Sequence, residues 1–358
     1  MHYASCSFPT LSASRRPALF GLAALGLLSL TALPAHAQTQ DLFVSNQYDG
    51  TISRFAGNGL GTLSTTATTF AKGLGVPLGL AFDPGGDLFV VEYSKSSITE
   101  FAAGATPGTF GAGKIVLSGN GLDRPAGLAF NAHGDLFVAN TFGNSIIEFA
   151  AGTTPGTFGT VTTLQDSVLN GPVGLAFDVR GDLFANSSSN SIIEFAAAST
   201  PGTFEKAKIT ESGTGTTYGL AFDTRGDLFA SVSGTNSITE FAAGGSPGTF
   251  GTATKLSGGG LYRPAGLAFD ARGDLFAADY DNNGAGITEF AAGTTPGTFE
   301  TGKTFGNGLS GASFLAFSPL PFAPVPEAST TVSFGLLLML GLGGMVVVAK
   351  RKKASVGV

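Results

Sequence analysis

Short apolar runs separated by Gly, Asp, Asn, Pro and Thr fill the middle of the chain, always in the same order. Gly-Leu-Ala-Phe begins at Gly79, Gly127, Gly174, Gly219 and Gly266, with Phe314-Leu315-Ala316-Phe317 as a sixth copy in register. Asp-Leu-Phe recurs at Asp41, Asp87, Asp135, Asp182, Asp227 and Asp274. Ile-Thr-Glu-Phe or Ile-Ile-Glu-Phe follows from Ile98, Ile146, Ile192, Ile238 and Ile287, and Thr51 to Phe55 is a divergent first copy. Pro-Gly-Thr-Phe comes next, at Pro107, Pro155, Pro201, Pro247 and Pro296. The unit repeats every 45 to 48 residues, a period that signals an array of identical supersecondary units.

Four apolar runs per unit, each bounded by turn residues, predict a four-stranded antiparallel blade. Gly-Leu-Ala-Phe suits the crowded innermost strand. Leu-Phe-Val-Ala, apolar on both faces, suits a second strand between stacked neighbours. Ile-Ile-Glu-Phe supplies the third strand and Gly-Thr-Val-Thr-Thr-Leu, from Gly159, the outer one. The array starts on a second strand at Asp41 and stops on a first strand at Phe314. Those two partial blades must pair, since each alone exposes an open edge. The expected fold is therefore all-β: a six-bladed β-propeller over residues 38–318, closed by its N- and C-terminal strands, with residues 41–72 and 307–318 sharing a blade. The segment from Arg263-Pro264-Ala265-Gly266-Leu267-Ala268-Phe269-Asp270 through Ile287 to Gly293 resembles the NHL repeat. That resemblance implies the fold and leaves the activity open.

The composition agrees: 54 Gly, no Trp and 12% charged residues suit short strands and tight turns. Both ends read as targeting segments. Arg15 and Arg16, an apolar stretch from Ala18 to Leu33, and Ala35-His36-Ala37 give residues 1–37 the form of a signal peptide. At the other end, a Pro-rich linker over 319–329 carries Pro326, Glu327 and Ala328. An apolar run over 330–349 follows, long enough for a single transmembrane helix, and then the basic tail 350–358. Lys350 to Lys353 place that tail in the cytoplasm. The order of Pro-Glu motif, apolar helix and basic tail resembles the PEP-CTERM sorting signal of Gram-negative bacteria, with Ala328 where a second Pro is commonest. The resemblance implies processing by an exosortase, an inner-membrane precursor, and delivery to the cell surface or to extracellular polysaccharide and biofilm matrix. An ordinary membrane anchor is the alternative.

Removing the six basic residues of the two ends leaves 13 Lys and Arg against 25 Asp and Glu, about −12 for the body. That argues against a nucleic-acid partner, whose phosphates need clustered positive charge. Cys6 lies in the leader, so thiol chemistry is excluded from the mature chain; His133 is its sole histidine, in a variable turn. No catalytic residue is assigned, and carboxylate or oxygen-ligated metal chemistry is what remains.

Residues present in every blade serve the fold, so a site should break the symmetry. The third-strand Glu100, Glu148, Glu194, Glu240 and Glu289, and the turn residues Arg180, Arg225 and Arg272, are expected to be solvated. Five residues past each turn Asp stand Asn46, Glu92, Asn140, Ser187, Val232 and Asp279. This position is expected at the channel mouth, beside Arg124 and Arg263. Asn46, Glu92, Asn140 and Asp279 offer the oxygen ligands a calcium ion takes, or else cap strand ends. Regucalcin and gluconolactonase propellers use a comparable mix at a central metal. Asp279-Tyr280-Asp281-Asn282-Asn283-Gly284 resembles the start of a calcium loop, through Asp279, Asp281 and Asn283. Phe290 in place of the twelfth-position Glu excludes a full EF-hand, and an Asx-rich turn is the alternative. No cofactor is required; calcium is the ion these residues would suit. The leading expectation is an exported, non-catalytic binding or scaffold propeller with glycan or surface-protein partners. The alternatives are a calcium-dependent lactonase-like hydrolase using Glu92, Asn140 and Asp279, and a structural matrix component without a defined ligand.

Overall fold

The computed structural model describes residues 40–319, apart from 59–61, 155, 200–202, 247 and 281–284. The segment 1–37 expected as a leader, the expected sorting motif Pro326-Glu327-Ala328, the apolar run 330–349 and the loop residues Asp281 and Asn283 lie outside the described residues. None of the helices among the described residues is long and apolar enough to cross a membrane.

Six four-stranded antiparallel sheets form the blades. The innermost strands are Ala312–Phe317, Pro77–Phe82, Leu128–Phe130, Leu175–Phe177, Thr217–Phe222 and Pro264–Phe269, taking blades one to six in order. The second strands are Leu42–Asn46, Leu88–Glu92, Leu136–Asn140, Leu183–Ser187, Leu228–Val232 and Leu275–Asp279. Each is buried along its whole length, as an apolar run packed on both faces requires. Third strands start at Thr51, Ser97, Ser145, Ser191, Ser237 and Ala285, and outer strands at Thr68, Lys114, Phe158, Lys208, Phe250 and Lys303.

The two chain ends share the first blade. Leu42 pairs with Phe317, Phe43 with Ala316 and Val44 with Leu315, so the C-terminal strand becomes the inner neighbour of the N-terminal one. The sheet order is the expected one, with a shifted boundary: Lys303–Leu309 is the outer strand of the sixth blade, and only Ala312–Phe317 belongs to the first.

Phenylalanine holds neighbouring blades together. The second-strand Phe of one blade meets the inner-strand Phe and the Pro-Gly-Thr-Phe ring of the next, as in Phe137 with Phe177 at 5.0 Å and Phe204 at 5.6 Å. Phe229 repeats this with Phe269 and Phe299. The closing seam uses the same contact, Phe276 against Phe317 at 4.9 Å. Most of these pairs are edge-to-face, each worth about 0.5–1.5 kcal/mol beyond the area it buries.

The end of the ring away from the inner-strand starts is acidic and stapled. In every blade the repeated Asp accepts a bond from a backbone N–H at or just past the end of the third strand, for example Ala103 to Asp87 at 2.7 Å and Ala243 to Asp227 at 2.8 Å. Two expectations of solvent exposure are corrected here. Glu148 and Glu194 are buried. The neighbouring Pro-Gly-Thr-Phe turn covers Glu194 so closely that a Cβ on Gly248 would stand 2.3 Å from its carboxylate. Lys208 balances that charge at 3.0 Å. Arg180, Arg225 and Arg272 are exposed as expected, and each bridges the two Asp residues of its own turn. The second blade has Gly85 in place of that arginine. Burial and the nearby Asp87 there raise the Glu100 carboxyl above its ordinary range.

Candidate functional site

At the opposite end, where second strands finish and inner strands begin, the ring opens on an axial cavity of about 230 Å³. Its wall takes Leu78, Ala126, Val173, Tyr218, Ala265 and Ser313 from the inner-strand side, one from each blade. Gln47, Tyr93, Thr141, Ser233 and Tyr280, each directly after a second strand, form its rim together with Arg263.

Bulged inner strands produce this lining. The pairing of the inner strand with the second strand skips two residues between Pro77 and Leu80, between Thr217 and Leu220, and between Pro264 and Leu267. The bulged backbone touches the next blade, and only glycine fits there. A Cβ on Gly79 would lie 2.5 Å from the Ala126 carbonyl oxygen, and one on Gly127 2.0 Å from that of Val173. The closing blade departs from the rule: Phe314 stands where the other five have glycine, and it lines the cavity.

The side chains expected at the mouth turn the other way. Asn46, Glu92, Asn140 and Asp279 are 1–3% exposed, and none lines the cavity. Each serves its own blade, and the acceptors hold the loop that enters the inner strand. Glu92 accepts from the Gly75 N–H at 2.7 Å, Asn140 from Asp123 at 2.6 Å and Asp279 from Tyr262 at 3.0 Å. Asn46 instead donates to Thr51 and Ser53. Successive side chains of a strand point to opposite faces, so the mouth belongs to the next residue along. The structure does not bring the four together: the oxygens of Glu92, Asn140 and Asp279 are held by partners within their own blades, and the Asn46 Oδ1 is buried without a partner among the described residues. As placed, they do not fit a shared calcium ion. Among the described residues no three of His, Cys, Asp and Glu are grouped to hold a metal.

Asp279 and Glu92 occupy equivalent positions yet titrate oppositely. Burial pushes the Asp279 carboxyl up to about 6, despite bonds from Thr288 and Tyr262. Burial also opposes ionisation of Glu92, but bonds from Lys95, Thr99 and Gly75 outweigh it and hold its carboxyl below the ordinary range.

The mouth is aromatic. Tyr93, Tyr218 and Tyr280 line the cavity, and Tyr48 leans on Tyr280 at 5.7 Å between ring centres. The Tyr280 oxygen accepts from Gln47 and from Tyr48, both at 2.6 Å, which leaves its own proton free to donate. Burial, followed by the bond to Tyr48, pushes its hydroxyl up to about 12, so it stays a neutral phenol. Arg263 lies over the Tyr280 ring at 5.0 Å, and Arg124 over Phe142 at 4.6 Å. Of the residues expected at the mouth, Arg263 lines the cavity, while Arg124 lies outside its lining, against Phe142. Phe314 and the tyrosines were missed, although the blade-against-blade comparison carried the signal one position further along.

No protein-family model matches the chain, and no curated protein matches it. Solved structures do. A chain of the nidogen–laminin complex superposes with a TM-score of 0.62 at 20% identity, covering 78% of this chain and 98% of that one. A putative 6-phosphogluconolactonase from Bacteroides fragilis gives 0.55 at 14%, covering 80% and 99%. A virginiamycin B lyase from Staphylococcus aureus gives 0.51 at 15%, covering 79% and 94%. At such identities the likeness is one of fold alone, and it spans a protein-assembly module and two kinds of enzyme.

Proposed function

We propose that this chain is an exported propeller of NHL-like repeats whose axial mouth is a binding site rather than a catalytic one. Its tail would hold a precursor in the inner membrane until an exosortase-type enzyme releases the propeller to the cell surface or matrix. The observation that carries the binding reading is the cavity itself. All six blades contribute to a wall of aromatic and small apolar groups with a few polar ones, the usual make-up of a ligand site. The carboxylates and amides that a lactonase-like reaction would use are turned into the blades, which favours recognition over hydrolysis. The acidic overall charge and the sorting signal support a matrix or surface partner over nucleic acid.

Two measurements test this. Mass spectrometry of the surface-exposed protein should find it ending near Pro326-Glu327-Ala328. Peptides reaching Val358 in a form retained in the inner membrane would leave a plain anchored propeller. For the mouth, Tyr93→Ala and Tyr280→Ala should abolish retention on immobilised matrix glycans while melting cooperatively. Retention unchanged in both variants would move binding away from the mouth.

A further inference from the structure

The arginines of the described residues fall into two groups. Arg54, Arg180, Arg225 and Arg272 each reach a carboxylate at the acidic end of the ring. Arg124 and Arg263, both exposed just ahead of the third and sixth inner strands, are the two that make no ion pair among the described residues, although Asp123 immediately precedes Arg124. Their guanidinium carbons instead lie over aromatic rings, Arg124 over Phe142 and Arg263 over Tyr280, a contact that leaves the charge without a carboxylate partner.

Both also hold a backbone conformation that arginine disfavours. Arg124 and Arg263 each have φ of 45°, and the same left-handed turn recurs ahead of the second, fourth and first inner strands at Val76, Gly171 and Gly311, so the conformation belongs to the fold. Neighbouring blades clamp the two residues. Ser96 accepts the Arg124 N–H at 3.0 Å, and Asn236 accepts that of Arg263 at 2.8 Å. The third and sixth blades stand opposite each other in a ring of six, so the two unpaired arginines belong to opposite sides of the ring.

Between them lie flat, accessible rings. Tyr48 and Phe142 are about half exposed, and Tyr93 meets Phe142 edge-on. A pyranose has an apolar C–H face that packs on such a ring and a hydroxyl rim that suits Gln47, Thr141 and the Tyr280 hydroxyl. A carboxylate on the sugar matches the guanidinium fork. A single acidic sugar would engage one arginine; engaging both takes a chain with repeated carboxylates.

We infer that the mouth binds a strand of acidic polysaccharide, laid across the axis with uronate carboxylates on Arg124 and Arg263 and sugar rings on the intervening aromatics. The inference rests on the mouth being a binding site and adds the ligand class. The test is calorimetric titration of the secreted propeller with hexamers of galacturonate and of mannuronate, their neutral methyl esters, and the monomers, in calcium-free buffer.

The acid hexamers should bind at least tenfold more tightly than the esters or monomers, and affinity should fall at least tenfold between 50 and 500 mM salt. Arg263→Asn and Arg124→Asn should each weaken binding about tenfold or more, and together abolish it. Asparagine tolerates the left-handed turn, so these variants should melt no lower than the parent. Equal binding of ester and acid, with both arginine variants unaffected, overturns the acidic ligand while leaving a neutral-glycan mouth standing. No binding of any hexamer overturns the acidic-strand inference. Whether the wider binding reading falls with it is decided by the matrix-retention test on Tyr93→Ala and Tyr280→Ala. Variants that bind less only because they melt earlier also overturn the inference; Arg263→Lys, keeping charge without the fork, should then behave as the parent.

Discussion

The Thr288 hydroxyl donates to Asp279 across 2.6 Å inside the sixth blade, while the Tyr262 N–H occupies the other carboxylate oxygen. Even with both bonds, burial raises this carboxyl from an ordinary 3.8 to about 6. A raised folded value means that stability is greatest below about 3.8, falls as pH climbs from there to 6, and stays at its lower level above. Asp279→Asn should remove the fall, because Asn140 shows that an amide oxygen can hold the equivalent loop. The variant should be more stable than the parent at pH 7.5 by on the order of 1–3 kcal/mol, with the gap closing near pH 4. Urea unfolding at a series of pH values reads this directly.

Glu92 predicts the reverse. Its carboxyl is held low, so its contribution is present above the ordinary Glu range and is lost as pH falls through the lowered value. Glu92→Gln should destabilise at pH 7 by about 1–3 kcal/mol, and little below pH 3. Opposite pH slopes in Asp279→Asn and Glu92→Gln, measured side by side, would confirm that one blade position carries two electrostatic solutions.

Ser45 is fully buried and bridges the closing strand at both polar groups of Phe314, donating at 3.2 Å and accepting at 3.0 Å. Ser45→Ala strands both groups. The expected loss is about 1–3 kcal/mol, seen as a lower urea midpoint with an unchanged slope. A changed slope would mean that the ring opens locally before it unfolds.

The register of that closure can be trapped. Val44 faces Leu315 across the seam, and the sequence holds a single cysteine, Cys6, far from both in the chain. Val44→Cys with Leu315→Cys should oxidise to a disulfide, whereas Val44→Cys with Ala316→Cys, on opposite faces, should not. Constraining so long a loop should raise stability by up to about 5 kcal/mol. Oxidation of the mismatched pair alone would mean a slipped strand.

The ring, its strand order and the shared blade were legible because each repeat states the same pattern six times and the count leaves two halves over. The mouth was less so. Counting five residues past each turn Asp put Asn46, Glu92, Asn140 and Asp279 at the mouth, but strand alternation turns them into the blades and the bulge brings other positions, such as Leu78 and Ala265, to the wall. Burial of Glu194 was invisible for a different reason: its cover, the turn around Gly248, belongs to the next repeat, and no single unit reveals what its neighbour lays upon it.

The bond between Ser45 and Phe314 joins residues 269 positions apart, and that separation orders events in time. A chain emerging N-terminus first presents Leu42–Asn46 early but can offer it no inner partner until Ala312–Phe317 has appeared. Contacts so distant in sequence form slowly and late. For nearly the whole of its synthesis the chain is therefore an open arc. The circle fastens only once the last few dozen residues arrive. Any cut ahead of position 312 would leave an arc that can never fasten.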